Sequence, residues 1–583
     1  MTPSAARHRV VFCSYRSGLY VATIAFTVLS FFCGIAHSAP RASPVFTIVR
    51  SAPAGGQPVT GRLFLMISRT NEPEVRLQST WFNSPEIVAV NVHELAAGQS
   101  QTVDASALGT PLRSLEELPE GDYYVQAVLN VYSQVHRADG HTLWVHLDRG
   151  EGQQFNKSPG NLYSEVQKLH IRGAQSYRLT LNRVIPAIQP PLDTQWVKYI
   201  RIQSQLLTKF WGKPIYLGAV VLLPNGYAQH PEVRYPVIYY QRGHFNLMPP
   251  FDFATHEIEE KAWDRREWQS AGFESGYAFY QSWKSDHFPR MIAVSFLDPT
   301  PLGDWSGGVN SVNNGPYGDA LMTELIPEIE REFRTIRDSN ARMLTGKASG
   351  GREALALLLH HPDVFGGVWV FHPWAFTFRH YFTLDIYGED NAFVVPTANL
   401  PEWAHSASNW LPVVRPILRT PDDVPVASFQ QLSQHDAVMA SMAGGDCLGA
   451  DDAILGPVGT DGYPQPLWSR KTGKIDPDVA AYWGEHGDLV NYLRAHWSTL
   501  GPLLVGKIHL YDGEMDHFYR NQGVHFLEDF LSQTKDPHEP GEFHYGALAA
   551  DWQPMTNAEL VGIMADHIVK NVPAGTDLTW KQQ

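Results

Sequence analysis

The stretch Leu344-Thr345-Gly346-Lys347-Ala348-Ser349-Gly350-Gly351 decides the fold. A short strand-like run, Arg342 to Thr345, leads into it, and a helical pattern from Gly351 to His360 leads out. A strand that turns at once into a helix brings backbones so close that small residues must flank the apex two positions to either side. Gly346 and Gly350 are that pair, so Ala348 occupies the apex. Centring the turn on Ser349 would put Lys347 where a small residue belongs.

Working outward, Ile215–Leu223, Pro236–Tyr240 and Met291–Phe296 read as strands before the elbow, and Val368–Phe371 as one after it. Leu321, Leu325, Ile329, Phe333 and Ile336 recur on one face of a helix predicted from about Tyr317. Near the C-terminus come a strand at Lys507–Tyr511, a helix at Phe518–Leu531, a strand at Glu542–Tyr545 and a helix at Asn557–Ile568. This alternation predicts a mainly parallel sheet with helices on both faces. Between Trp374 and Gly487 the pattern loosens into Pro, Ser, Asp and Trp, which predicts an irregular lid or insertion over about 375–487.

The first part of the chain has a different period. Leu63–Ile67, Tyr123–Val131, Leu143–Leu147 and Tyr177–Val184 are β-branched and aromatic, with Gly, Pro, Asn and Asp clusters between them. They predict an all-β sandwich domain over 44–185. The proline-rich stretch Pro186–Pro191 lies in a linker over 186–195, and the α/β domain would occupy 196–575.

Arg7, Arg9 and Arg16 precede an apolar run from Gly18 to Ala36, and small residues stand at Ala36 and Ser38. That order predicts an export signal over 1–38, cut after Ser38, and a secreted or periplasmic protein. The competing reading is an uncleaved anchor, since the run is long enough to span a bilayer. No later stretch is, so no membrane span is expected after cleavage.

The 583 residues carry a net charge of −15, or −18 without the first 38. An acidic chain lacks the basic face that releases counterions from phosphate, so no nucleic-acid partner is expected. Of the three cysteines, only Cys447 follows residue 38, which excludes a disulfide-stapled scaffold or four-cysteine zinc site in the mature chain.

Further motifs accompany the elbow. They are Tyr235–Tyr240 with Gly243-His244-Phe245, the tract Asn310–Asp319, His361–Gly367, Gly513–Asp516, and Phe543–Gly546 with Trp552. With these, Pro214 to Ala574 resembles the enterochelin-esterase-like (esterase D-like) branch of the α/β-hydrolases. An N-terminal β-sandwich also occurs in enterochelin esterases.

The resemblance implies a serine nucleophile, a histidine base and an orienting carboxylate, with backbone N–H groups as the oxyanion hole. The acid would be Asp516, with Asp512 as runner-up. The oxyanion donors would be the N–H of Ser349 and one near His244 and Phe245. The nucleophile position holds Ala348. The base, expected two residues before Trp552, falls on Ala550. A methyl group can neither attack a carbonyl nor take a proton.

Ser349 is a substitute nucleophile in one reading and a helix-start residue in the other. His517 and His544 lie near the site in sequence, but the family pattern assigns neither as base. Cys447 has no elbow around it. His360-His361 and Arg379-His380 lack metal-ligand spacing, so no metal or cofactor is expected. Trp374, Trp403, Trp410 and Trp468 suit either a ligand groove or a packed core. Two functions follow as expectations. One is an exported, catalytically impaired pseudoenzyme that binds a small-molecule or glycan ester. The other is an active carboxylic-ester hydrolase using Ser349 or an unassigned base.

Overall fold

The computed structural model describes residues 43–51, 56–79, 84–257, 273–396, 412–439, 447–573 and 575–582. The expected export signal and its cleavage site lie outside the described residues, as do Trp403 and Trp410.

Eight strands build the sheet that carries the elbow. They are β1 (Val197–Ser204), β2 (Ile215–Leu222), β3 (Val237–Gln241), β4 (Ile292–Leu297), β5 (Arg342–Lys347), β6 (Gly367–Phe371), β7 (Ile508–Gly513) and β8 (Glu542–Gly546). Their order is β1-β2-β4-β3-β5-β6-β7-β8. The first two pairings are antiparallel, and every pairing from β4 to β8 is parallel. Every residue of β3, β4, β6 and β7 is buried. Burial on both faces is why these strands read as unbroken apolar runs rather than alternating ones.

The elbow joins β5 to helix α1 (Ala348–His360), which is buried along most of its length. The insertion supplies α2 (Phe429–Met439), α3 (Cys447–Leu455) and α4 (Pro477–His486). After it come α5 (Leu489–Leu504), α6 (Asn521–Ser532) and α7 (Asn557–Asn571).

Two expectations need correction. The helix predicted from Tyr317 through Ile336 is broken into an α-turn at Tyr317–Ala320, a π-turn at Leu321–Leu325 and a second α segment at Ile326–Glu332. Pro327 has no N–H to continue the ladder, which widens at that point. Phe333 is already extended, and the chain pairs instead with Tyr235, whose N–H donates to the Arg334 carbonyl at 2.8 Å. The insertion is also far from irregular. Trp374, Phe378, Tyr381, Trp468 and Trp483 form an apolar core of its own. Its periodicity is masked because charged residues sit inside, with Arg470 bonded to Asp436 at 2.9 Å and to Asp452 at 2.5 Å.

Before β1, nine strands from Val45–Arg50 to Ser176–Val184 form one continuously bonded sheet. The short strand Leu162–Ser164 pairs with both Gly121–Val131 and Ser176–Val184, joining the two halves. The sheet folds over, so that Phe46 and Ile48 share a core with Leu63, Leu65 and Ile67. The alternate residues Phe64 and Met66 pack the other way, against Phe155 and Val438 of α2. The all-β region is therefore seated against the insertion. Arg62 strengthens that seat, donating to the Val438 carbonyl at 2.8 and 3.1 Å and to Ala437 at 3.1 Å. Among the described residues no helix is long and apolar enough to cross a membrane.

Candidate active site at the elbow

Ala348 has φ +48°, the left-handed conformation that a side chain rarely adopts. The two flanking glycines explain how the turn closes. A Cβ on Gly346 would come within 2.3 Å of the Gly350 carbonyl oxygen, and one on Gly350 within 2.0 Å of the Gln241 carbonyl oxygen. Gly243, at φ +69°, presses its backbone against Ser349 and Gly350 in the same way. Three glycines thus let the elbow and the loop after β3 touch backbone to backbone.

The Ser349 N–H belongs to the first turn of α1, where amides have no partner within the helix. Its buried hydroxyl lies 3.3 Å from Nε2 of the exposed His244. The Phe245 N–H donates to the Asp304 carbonyl at 3.1 Å and is thereby committed. The all-β region reaches this loop. Gln153 donates through its backbone to Asp304 Oδ1 at 2.5 Å and through its side chain to the Thr300 carbonyl at 2.8 Å. A cleft of about 250 Å³ opens here, walled by His244 and Trp305 on one side and by Phe64, Asn130 and Phe155 on the other.

The acid turn follows β7. Asp516 is fully buried, and Oδ1 accepts from the N–H groups of Phe518 and Arg520 at 3.0 and 2.8 Å. The Arg520 guanidinium holds both carboxylate oxygens, with Nη2 at 2.6 Å from Oδ2. Asp512, also fully buried, accepts only from the Gly513 N–H at 2.7 Å, and its Oδ2 has no partner. Burial, with the Asp516 charge added, pushes its carboxyl well above the usual range.

Ala550 lies in the loop after β8. The Ala549 carbonyl accepts from the Met515 N–H at 2.9 Å, and the Glu514 N–H donates to the Gly546 carbonyl at 2.9 Å. A Cβ on Gly513 would meet the Ala550 carbonyl oxygen at 1.8 Å. Asp551, next in the chain, is bonded to Arg520. The loop therefore lies directly on the acid turn. Its link to the elbow is electrostatic: the field of Asp551 reaches Lys347, whose ammonium desolvation holds below its ordinary value.

His372 carries no motif that marks it, yet it stands at the tip of β6 beside the elbow. It is buried at φ +37°, and its Nδ1 has no partner. Burial, with Arg520 nearby, holds its imidazole well below the ordinary value and therefore neutral. The other histidines have ordinary contacts: His517 Nδ1 lies 2.9 Å from the Arg419 carbonyl, His544 stacks on Tyr511, and His360 packs on Tyr492. Trp374 and Trp468 are core residues of the insertion, and Cys447 opens α3.

Residues 216–412 match the family described as "Putative esterase". Among solved structures the chain is similar to a ferulic acid esterase (14% identity, TM-score 0.34, covering 64% of this chain and 99% of that one). It is similar also to the fluorophosphonate-binding serine hydrolase F of Staphylococcus aureus (11%, 0.31, 64% and 98%). A third is an S-formylglutathione hydrolase from Agrobacterium tumefaciens (12%, 0.29, 65% and 96%). The family match covers residues 216–412, about a third of the chain, and makes that segment esterase-like in sequence. The chain's fold is the α/β-hydrolase fold with an all-β region ahead of it.

Proposed function

We propose that this esterase-family protein is exported and binds a small-molecule or glycan ester in the cleft beside His244, having lost conventional acyl transfer. The observation that carries the reading is the pairing of Asp516 with Arg520. With Ala348 at the apex and Ala550 at the base position, the acid has no histidine to orient, and a guanidinium takes both of its oxygens. The elbow with its Ser349 N–H and the cleft remain, which suits binding without turnover.

A second reading has its own support. The 3.3 Å approach of Ser349 Oγ to His244 Nε2 is a hydroxyl–imidazole contact of the kind that activates a nucleophile. On that reading the protein is an active carboxylic-ester hydrolase.

Treatment of the purified protein, Ala348→Ser and Ser349→Ala with a fluorophosphonate probe separates the two. The first reading expects the native protein to stay unlabelled, and Ala348→Ser to label only when Ala550→His is added to it. Labelling of the native protein that disappears in Ser349→Ala overturns it. Export is tested by N-terminal sequencing of the protein from the culture medium or periplasm, where a chain beginning at Ala39 is expected.

A further inference from the structure

One face of α1 leads away from the elbow, and none of Ala348, Ser349, His244, Asp516 or Ala550 lines what lies there. It is a cavity of about 380 Å³. Its walls include Arg352 and His360 on α1, Asn310 on the hairpin Asn310–Ser311/Gly315–Pro316, Tyr482 and His486 on α4, and Phe210.

Arg352 is only 3% exposed. Its Nε is shielded from solvent with no acceptor, and among the described residues the guanidinium makes no hydrogen bond or ion pair. The guanidinium carbon lies 5.8 Å from the centre of the Trp305 ring. A buried cation is costly, and the charge that offsets this one is first that of Asp451, with no hydrogen bond joining the two. Neither neighbouring acid hydrogen-bonds to the guanidinium. Asp451 spends Oδ2 on Trp374 Nε1 at 3.0 Å and on the Tyr381 hydroxyl at 2.7 Å, and its Oδ1 has no hydrogen-bond partner, so it acts on Arg352 through its field alone. Glu353 is held well above the usual carboxylate range by burial and by Asp298, and so is neutral.

We propose that this cavity is a binding site for a small aryl carboxylate, anchored by Arg352 and separate from the cleft beside His244. The charge count selects a monoanion. Arg352 is the one full cation on the wall, because burial pushes His360 down to about 4 and leaves it neutral near pH 7. The planar guanidinium fork matches a carboxylate. Phe210 and Tyr482 supply aromatic surface, and the volume is of the size that encloses small organic ligands.

Thermal unfolding and calorimetry of the full chain test the site, with benzoate as probe, benzamide as its neutral counterpart and inorganic phosphate as a second anion. Benzoate should raise the unfolding temperature in a dose-dependent way, while benzamide and phosphate should not. Arg352→Met should weaken benzoate binding at least roughly ten-fold, the size of a lost charge-assisted hydrogen bond, without lowering the unfolding temperature of the free protein. Ala356→Leu, which fills the cavity from the same helix face and keeps the arginine, should also abolish the response. The proposal is overturned if benzoate binds Arg352→Met as it binds the native chain, or if phosphate alone stabilises. It is also overturned if Arg352→Met is destabilised and Asp451→Asn restores it, since Arg352 would then be the counterion of Asp451.

Discussion

The guanidinium of Arg520 embraces the carboxylate of Asp516, with Nη2 at 2.6 Å from Oδ2 and Nε at 3.0 Å from each oxygen. Both groups are buried, and the same Nη2 also holds Asp551. A triad carboxylate works by accepting from the imidazole nitrogen opposite the nucleophile and stabilising the imidazolium. On the proposed reading Asp516 is that carboxylate, and its acceptor sites are already filled by Arg520 and two backbone N–H groups. A serine at 348 and a histidine at 550 would then not by themselves complete the relay.

The double variant Ala348→Ser, Ala550→His is expected to label with a fluorophosphonate yet turn over p-nitrophenyl acetate slowly. Adding Arg520→Leu frees Asp516 for the new histidine and should raise the rate by about ten-fold or more, a fraction of what a properly oriented imidazole is worth. Initial rates of the double and triple variants, compared on folded protein, decide the matter. Equal rates would mean that Arg520 does not compete for the acid.

The elbow stores strain at one residue and sterically demands glycine at the next but one, so two substitutions there should act in opposite directions. Ala348 at φ +48° bears a left-handed backbone that costs an L-residue about 1–2 kcal/mol. Ala348→Gly should stabilise the protein by about 1 kcal/mol once glycine's extra chain entropy is subtracted. Gly350→Ala drives a methyl to 2.0 Å from the Gln241 carbonyl oxygen, which is backbone and cannot swing aside. It should cost about 3 kcal/mol or more. Urea unfolding of the two variants reads both signs.

Which parts of this were legible beforehand follows from which constraints are local. The elbow obeys a steric rule over five residues, and Gly346 and Gly350 announce it. Parallel strands buried on both faces read plainly as apolar runs, as Val237–Gln241 and Gly367–Phe371 do. The insertion hid its core because Arg470, Asp436 and Asp452 satisfy one another inside it, and polar residues at interior positions erase the helical period. The grip of Arg520 on Asp516 was hidden for a different reason. An Asp and an Arg four apart look like an ordinary exposed helix pair until their burial is known. His372 carries no motif at all, and only the neighbouring strand tips reveal where it stands.

Arg62 ties the all-β region to the end of α2 through the carbonyls of Ala437 and Val438. A cation suits that place, because the last carbonyls of a helix have no partner within it and carry its negative end. Burial nonetheless pushes the guanidinium down to about 10. Arg62→Met keeps much of the packing volume and removes the donors. It should raise amide hydrogen exchange in α2 and leave exchange in β5 and β6 unchanged, since neither strand depends on this tie. Faster exchange spread evenly over both regions would show that the bond supports the whole fold rather than the seat of the insertion.

His360 supplies a pH dependence with a definite sign. Burial holds its folded imidazole down to about 4, helped by the nearby charges of His361, Arg352 and His496, whereas an unfolded chain titrates near 6.5. Between those values the unfolded state binds the additional proton, so stability is present above about pH 6.5 and drains away as pH falls toward 4. His360→Gln cannot take up that proton. In buffer free of aromatic acids, the gap in unfolding free energy between native and variant protein should narrow below pH 6.5 by up to about 1.4 kcal/mol per pH unit. Urea midpoints at a series of pH values from 7.5 down to 4.5 give the comparison. A constant gap across that range would show that the folded protein accepts the proton on His360 as readily as the unfolded chain does.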